Sequence, residues 1–319
     1  MTHPLVSIIC LCYNHERFIS EALNSVLAQT YANLEIIIVD DSSTDNSVAI
    51  IKEYCLRNPQ LKFISTGNNI GNCAAFNKAW QISKGEFIID FATDDVLFPD
   101  RVEKQVAAFQ KLDMQYGVVY TDAVYIDDNS RVLKQHNQHD SQGRLLSFAP
   151  SGNIFSELLS RYFICPPTMM MRRNVFEKLE GYDETLAYED FDFWVRSSRL
   201  FHYYYLDVVT TKRRLHGTSL SRDFYKPGSR LLRSTIKVCK KAVKLVQNQK
   251  EKAALVKRVR FEARHAFLTR NYPETQQLLH LLNELKGLSM SYKLLSYLNA
   301  LQPDLSFIRK IYYRLRYKD

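Results

Sequence analysis

The sequence is poor in the features that would mark a secreted, membrane-spanning or metal-stapled protein. Its 319 residues include six cysteines, Cys10, Cys12, Cys55, Cys73, Cys165 and Cys239, and no two are spaced as CxxC. That spacing argues against a zinc site or a disulfide framework and fits reduced, buried thiols in a cytoplasmic protein. No apolar run approaches the roughly 18–20 residues that a membrane span needs. The opening "MTHPLVSIIC" has no basic stretch and no small-residue cleavage site, so no signal peptide is expected. The polar stretch "CLCYNHER" contains no glycine, which excludes a glycine-rich phosphate loop after the first predicted strand. Internal repeats and low-complexity tracts are missing too.

What is present is an ordinary globular composition, 46% apolar, in a chain long enough for one large domain plus an accessory. The net charge of +9 conceals an asymmetry. Residues 1–225 hold 22 Lys and Arg against 28 Asp and Glu, whereas residues 226–319 hold 21 against 6. A basic tail on an acidic body suits either an anionic surface or packing of the tail back onto the body.

Strand and helix signals alternate over the first ~100 residues. "VSIICLCYN" is a strand running into a polar loop, and "RFISEALNSVLAQT" carries apolar residues at helical spacing. "LEIIIVDDSS" is a second buried strand, followed by a capped helix that ends near Pro59. "LKFIST" is a third strand, "NCAAFNKAWQISKG" a helix closed by Gly85, and "EFIIDFAT" a fourth strand. This order implies a parallel α/β sheet. Ligands of such sheets bind beyond the carboxyl ends of the strands, where "CYNHE", "DDSSTD" and "TDD" all fall. Farther on, "GVVYTDAVYID" reads as a strand, residues 128–150 as a polar flap, and "HYYYLDVVTTKRRLHGTSLS" as a pair of strands and a loop. Beyond about Tyr225 the chain is helical, with Leu232, Ile236, Cys239, Val243 and Val246 on one predicted face. Two domains are expected, 1–225 and 226–319.

The run "FIIDFATDDVLFPDR" ends a buried strand on two adjacent carboxylates, Asp94 and Asp95. Neighbouring carboxylates repel, so something positive or a hydroxyl-rich ligand must sit between or near them; a loop cap is the competing account. Pro99 and Asp100 already supply the start signals of the following helix, which weakens that account.

Three segments in order, "SIICLCYNHERFISEALNSVLAQTYANLEIIIVDDSSTDNS", "NNIGNCAAFNKAWQISKGEFIIDFATDDVLFPDR" and "GYDETLAYEDFDFWVRSS", resemble family 2 glycosyltransferases over about residues 5–221. The resemblance implies a GT-A fold: a Rossmann-like nucleotide-binding half with a mostly parallel central sheet, here with a C-terminal helical extension. It implies inverting transfer from a nucleotide-sugar, most simply a UDP-sugar, to an acceptor hydroxyl with a divalent cation, Mn²⁺ or Mg²⁺. By the same resemblance Asp41 contacts the donor base, and Leu11, Tyr13, Asn14, Asn69, Asn77 and Lys78 lie along the donor. Asp94 meets ribose or metal, and Asp95 ligates the metal. Glu189 and Asp190 form the catalytic pair, with Asp190 as the base, and His216 contacts metal or diphosphate. Asp192 and Trp194 read as structural, and Arg196 as a partner of one of these acids. The chain departs from the family pattern at Leu11 and Cys12, where a hydroxyl residue is usual, at Phe76 in place of an Arg, and at Ala92 in place of a first Asp.

The last residues, "LSFIRKIYYRLRYKD", put Ile308, Ile311, Tyr312 and Leu315 on one helical face amid Arg and Lys. That pattern suits an interfacial helix on an anionic membrane, hence a cytoplasmic protein, peripheral on the inner face of the membrane, beside a glycan or lipid-linked acceptor of surface polysaccharide or lipopolysaccharide synthesis. No nucleic acid is expected as a partner, although the tail's tyrosines permit stacking on bases. A phospho-receiver module is disfavoured because its acidic pair belongs after the first strand, and here the pair follows the second. A homologue that has lost catalysis, its basic tail docking on membrane or nucleic acid, is the remaining alternative.

Overall fold

The computed structural model describes residues 3–217 and 223–303. The predicted helix at residues 308–318 lies outside the described residues. The described chain divides into two compact units. One comprises residues 3–154, 163–185 and 197–217, and the other 155–162, 186–196 and 223–303.

The first unit is built on a nine-stranded sheet. Its strands are β1 (Val6–Cys12), β2 (Leu34–Asp40), β3 (Lys62–Ser65), β4 (Phe87–Ala92), β5 (Val96–Leu97), β6 (Tyr116–Ile126), β7 (Val132–Gln135), β8 (Met170–Arg172) and β9 (His202–Arg214). The first three helices are α1 (Ile19–Leu27), α2 (Ser47–Arg57) and α3 (Asn72–Ile82); α4 (Arg101–Phe109) follows β5. The spatial order is β3-β2-β1-β4-β8-β6-β9-β5, with β7 paired to β6. β1 pairs parallel with both β2 and β4, and β2 pairs parallel with β3. This is the expected parallel half. β1, β2 and β4 are runs of Ile, Val and Phe that bury both faces, as a sheet covered by helices demands. Ile8, Ile38, Ile89 and Phe91 pack with Ile19, Leu23 and Val26 of α1 in one core, each burial contributing about 1.5–3 kcal/mol.

The other half of the sheet is mixed. β8 runs antiparallel to β4 and β6, whereas β9 runs parallel to β6. β9 is one strand of 13 residues where two strands were expected; register shifts against β6 at Asp122 accommodate its length. The predicted flap contains structure, since β7 forms a hairpin with β6 and His139 bridges Leu145. Gly85 does not close α3, which ends at Ile82 with Ser83 as its C-cap. Gly85 is needed for close approach instead, because a Cβ there would lie 2.4 Å from the Ser7 amide nitrogen on β1.

Short helices α5 (Phe155–Ser160) and α6 (Arg173–Leu179) and the longer α7 (Asp190–Leu200) join these strands. α5 and the start of α7 belong to the second unit, with α8 (Arg230–Leu245), α9 (Gln249–Leu268), α10 (Tyr272–Lys286) and α11 (Met290–Leu301). Leu159, Phe191, Leu232, Ile236, Cys239, Val259 and Leu278 form its apolar core. One residue of the predicted stripe falls off it: Val243 is 37% exposed, whereas Val246, the C-cap of α8, packs against this core. Within this core Arg258 donates to Glu262, which also accepts from the Tyr225 hydroxyl, and the guanidinium stacks 3.9 Å from the Tyr162 ring centroid. A charge so deeply buried is tolerable only when partnered in this way.

Candidate active site

The sheet creates the site where strand order reverses. From β1 the chain moves to β2 and β3 on one side, then returns to place β4 on the other. The crevice between the loops after β1 and β4 is therefore the switch point at which ligands of such sheets bind. Cys12 is level with Asp40, and Leu11 with Ala92, so the three polar loops begin side by side. The Asp41 amide donates to the Cys12 carbonyl, and the Thr93 amide to that of Leu11.

Asp40 and Asp41 do different work. Asp40 is fully buried and accepts from the Ser43 amide, shaping the turn. Asp41 Oδ1 accepts from the Thr66 hydroxyl at 3.0 Å and the Ile70 amide at 2.9 Å, and Oδ2 from the Gly71 amide at 2.8 Å. One carboxylate thus folds the 66–71 loop over the end of β2. Gly71 holds a φ of 86°, a conformation that favours glycine. Asn14 and Ser42 also have positive φ, 58° and 61°, at the strand ends. Such conformations store strain and cluster at functional loops. Asn14 offsets its share through Oδ1, which accepts from the amide and hydroxyl of Thr44.

Asp94 Oδ2 lies 2.9 Å from His216 Nε2, and Asp94 Oδ1 is buried without a hydrogen-bond partner among the described residues. Burial alone would raise the Asp94 pKa, but the His216 contact and the nearby His15 hold it below the ordinary carboxylate range. Asp95 moves the opposite way: burial, then the Asp94 charge, push its pKa well above that range. Its Oδ1 accepts from the Arg214 amide.

His15 and Arg214 were not expected in this site in their observed roles. His15 Nδ1 is 2.9 Å from Thr93 Oγ1, a link across the switch point. The Thr93 hydroxyl also lies 3.0 Å from the Leu11 carbonyl at the end of β1. His15 also lies near Asp94. Burial pushes its pKa below the ordinary histidine value although Asp94 opposes this. The rings of His15 and His216 meet edge-on, 6.4 Å between centroids. Arg214 is built into the loops around the two acids. It is 2% exposed, and its guanidinium donates to the carbonyls of Asp94 and Asp127, to Ser130 and to Glu21. A histidine or arginine alone has no periodic signal; only their positions in "CYNHE" and "RRLHG" hinted at this.

The remaining expected residues are more scattered. Tyr13 is 45% exposed and Leu11 half-buried at the end of β1; Asn69 and Lys78 are exposed. Asn77 is buried, and its amide is spent on Tyr182 and Glu184, latching the loop after α6. In the second unit Glu189 and Asp190 are half-buried at the start of α7, where the helix macrodipole favours a carboxylate. Asp192 accepts from Arg196 and Lys241, both at 2.6 Å, and Trp194 is buried, so both are structural and Arg196 pairs with Asp192.

Carboxylates, an imidazole and one orphaned carboxylate oxygen make a donor set of the kind that takes Mg²⁺ or Mn²⁺ when a diphosphate supplies the other ligands. Among the described residues no three acids, His or Cys form a complete cation cage. The set fits a cation shared with a ligand rather than one held by protein alone.

Residues 7–180 match the family described as glycosyl transferase family 2. The chain belongs to this family. An uncharacterized glycosyltransferase of Methanocaldococcus jannaschii is 30% identical over 205 residues, 61% of this chain and 65% of that protein. Chondroitin synthase of Escherichia coli is 31% identical over 220 residues, 68% of this chain but 30% of the synthase. The chain thus spans less than two thirds of the length of either relative. Among solved structures, Staphylococcus aureus TarS residues 1–349 in complex with UDP superposes with a TM-score of 0.66 at 20% identity, covering 99% of this chain and 92% of that one. A mannosyltransferase from Pyrobaculum calidifontis in complex with GDP-Man and Mn²⁺ gives 0.55 at 15%, covering 100% and 89%. These likenesses establish the expected GT-A architecture for this family 2 glycosyltransferase. Among the described residues no helix is long and apolar enough to cross a membrane.

Proposed function

We propose that this protein is an inverting glycosyltransferase that moves a sugar from a UDP-sugar to a hydroxyl of a glycan or lipid-linked acceptor. The observation that carries the reading is the convergence of Asp41, Asn14, Asp94, Asp95 and His216 on the loops at the carboxyl ends of β1, β2, β4 and β9. TarS has also been solved with UDP-GlcNAc, at a TM-score of 0.66 and 19% identity, which supports uracil over the other bases. Asp41 receives the uracil imide N–H: Oδ2 takes one hydrogen bond from the chain and has a second lone pair to offer. Asn14 and Tyr13 border the base and ribose, with Leu11, Asn69 and Lys78 farther along the donor. Asn77 acts indirectly, through the loop it latches.

Asp94, Asp95 and His216 would hold the divalent cation beside the diphosphate. When bound, that cation neutralises charge on the leaving nucleoside diphosphate. Asp190 accepts the proton of the acceptor hydroxyl as its oxygen bonds to the anomeric carbon and the bond from that carbon to the phosphate oxygen breaks. Attack opposite the leaving group inverts the anomeric centre. Glu189 beside it adds to the negative charge that draws the proton. The acidic sheet unit and basic helices fit a cytoplasmic enzyme held peripherally on the inner membrane face in surface-glycan synthesis.

Calorimetric titration with UDP, dTDP and GDP, each with and without Mn²⁺, tests the reading on wild type and Asp95→Ala. The expected result is metal-dependent binding of UDP that the variant loses. No binding of any nucleotide under either condition would reduce the family relationship to ancestry.

A further inference from the structure

The second unit contains a cleft of about 760 Å³ between α9 and α10 that the transfer reaction does not use. Lys252, Lys257, Arg260, Arg264 and Lys286 line it, against a single acid, Glu284. The acid is already engaged, with His280 Nδ1 3.1 Å from its Oε1. None of the five cations is paired with an acid among the described residues. Elsewhere in this unit Lys241 pairs with Asp192, Lys250 with Glu157, Arg233 with Glu274 and Arg258 with Glu262.

The spacing makes the arrangement costly as it stands. Lys257 and Arg260 are separated by three positions on α9, and Arg260 and Arg264 by four, so like charges adjoin twice along one helix face. Arg260 is further constrained. Its guanidinium lies 5.4 Å from the Tyr292 ring centroid, and its Nε is buried with no hydrogen-bond partner among the described residues. A buried donor without an acceptor is disfavoured. An anion with several oxygens would relieve the repulsion, and a planar guanidinium suits phosphate oxygens in particular.

We propose that the cleft between α9 and α10 is a binding site for a ligand bearing two or more phosphate charges, separate from the nucleotide-sugar site. The volume falls within the range of small-ligand pockets. The same chemistry is offered by a soluble polyphosphate ester and by the headgroup of an anionic lipid.

Inorganic tripolyphosphate is the probe. It is titrated calorimetrically into the full chain at about 50 mM salt, with EDTA present to suppress cation-assisted binding at the other site. Wild type is compared with Lys257→Glu/Arg264→Glu, two exposed positions, and with Arg260→Gln; thermal melts confirm that each variant folds. The proposal expects one equivalent of tripolyphosphate binding in wild type, weakened about tenfold or more by the double reversal. Sedimentation with phosphatidylglycerol vesicles separates the sources. Capture lost in the same variant and displaced by tripolyphosphate assigns a lipid headgroup, whereas tripolyphosphate binding without cleft-dependent capture assigns a soluble ligand. Equal binding by wild type and the folded double variant, or no binding by wild type, overturns the proposal. So does displacement of captured protein by sodium chloride at matched ionic strength as complete as that by tripolyphosphate.

Discussion

His216 Nε2 stands 2.9 Å from Asp94 Oδ2, joining the loop after β9 to the loop after β4 across 122 positions of sequence. The same imidazole rests against Phe18, 5.1 Å between ring centroids. The contact decides how Asp94 is presented: one carboxylate oxygen is tied to the imidazole while the other is left without a partner among the described residues. If His216 holds a cation and orients Asp94, His216→Ala lowers metal-dependent UDP affinity by about tenfold or more, the usual loss when such support is removed. Its melting temperature should fall only slightly. A variant with wild-type affinity in Mn²⁺ would make His216 a packing partner of Phe18 and nothing more.

Asp190 opens α7, and Asp192 two residues later is fixed by Arg196 and Lys241. The base assignment predicts a split between chemistry and binding. Asp190→Asn should lower the turnover of sugar transfer by about 10²–10⁴-fold, the ordinary worth of a general base, and leave UDP affinity within about twofold. Asp192→Asn should act on stability first, since it weakens two charge-assisted bonds. Wild-type turnover in Asp190→Asn would move the base elsewhere.

The parallel half of the fold was legible because β1, β2 and β4 are unbroken apolar runs separated by helical spacing, a local signal. The mixed half was not. β8 is three residues, Met170–Arg172, too short for any period, and its partners β4 and β6 are set by pairing across the sheet. β9 reads as two strands because an acid, Asp207, interrupts its apolar pattern. In the site, adjacent acids betray themselves by mutual repulsion, so Asp94 and Asp95 stood out. His15 did not, because its meaning lies in Thr93, 78 positions away. Asn77 could be placed near the donor only by resemblance; its bonds to Tyr182 and Glu184 join segments more than 100 positions apart.

Asp41 makes a sharper prediction because it has two tasks. Its carboxylate holds the Ile70 and Gly71 amides, so Asp41→Ala leaves two donors without an acceptor and should destabilise the chain by about 2 kcal/mol. It should also remove detectable UDP binding, since the loop and the imide acceptor go together. Gly71→Ala separates the tasks: it strains the loop at a φ of 86° but keeps the carboxylate. Its affinity should fall less than that of Asp41→Ala. If Asp41→Ala unfolds at wild-type urea concentration and binds UDP normally, the residue is neither loop anchor nor base contact.

Glu35 gives a stability prediction far from the chemistry. It accepts from the Ser7 hydroxyl at 2.5 Å, Lys62 Nζ at 2.6 Å and the Lys84 amide at 2.7 Å, tying β1, β2, β3 and the end of α3 together. Burial by itself would raise its pKa, yet the bonds from Lys62, Ser7 and Lys84 hold it below the ordinary value of 4.5. A carboxyl whose folded pKa is depressed binds its proton more readily when unfolded. Its contribution is therefore complete above about 4.5 and is lost as pH falls through the folded value. Lys62 is 46% exposed, so solvent screens that pair and the contribution is about 1 kcal/mol. Glu35→Gln should lower the urea midpoint at pH 7, and its deficit relative to wild type should shrink as pH falls below about 4.5. A deficit that stays constant between pH 7 and pH 3.5 would mean that shape at this junction, not charge, is what Glu35 supplies.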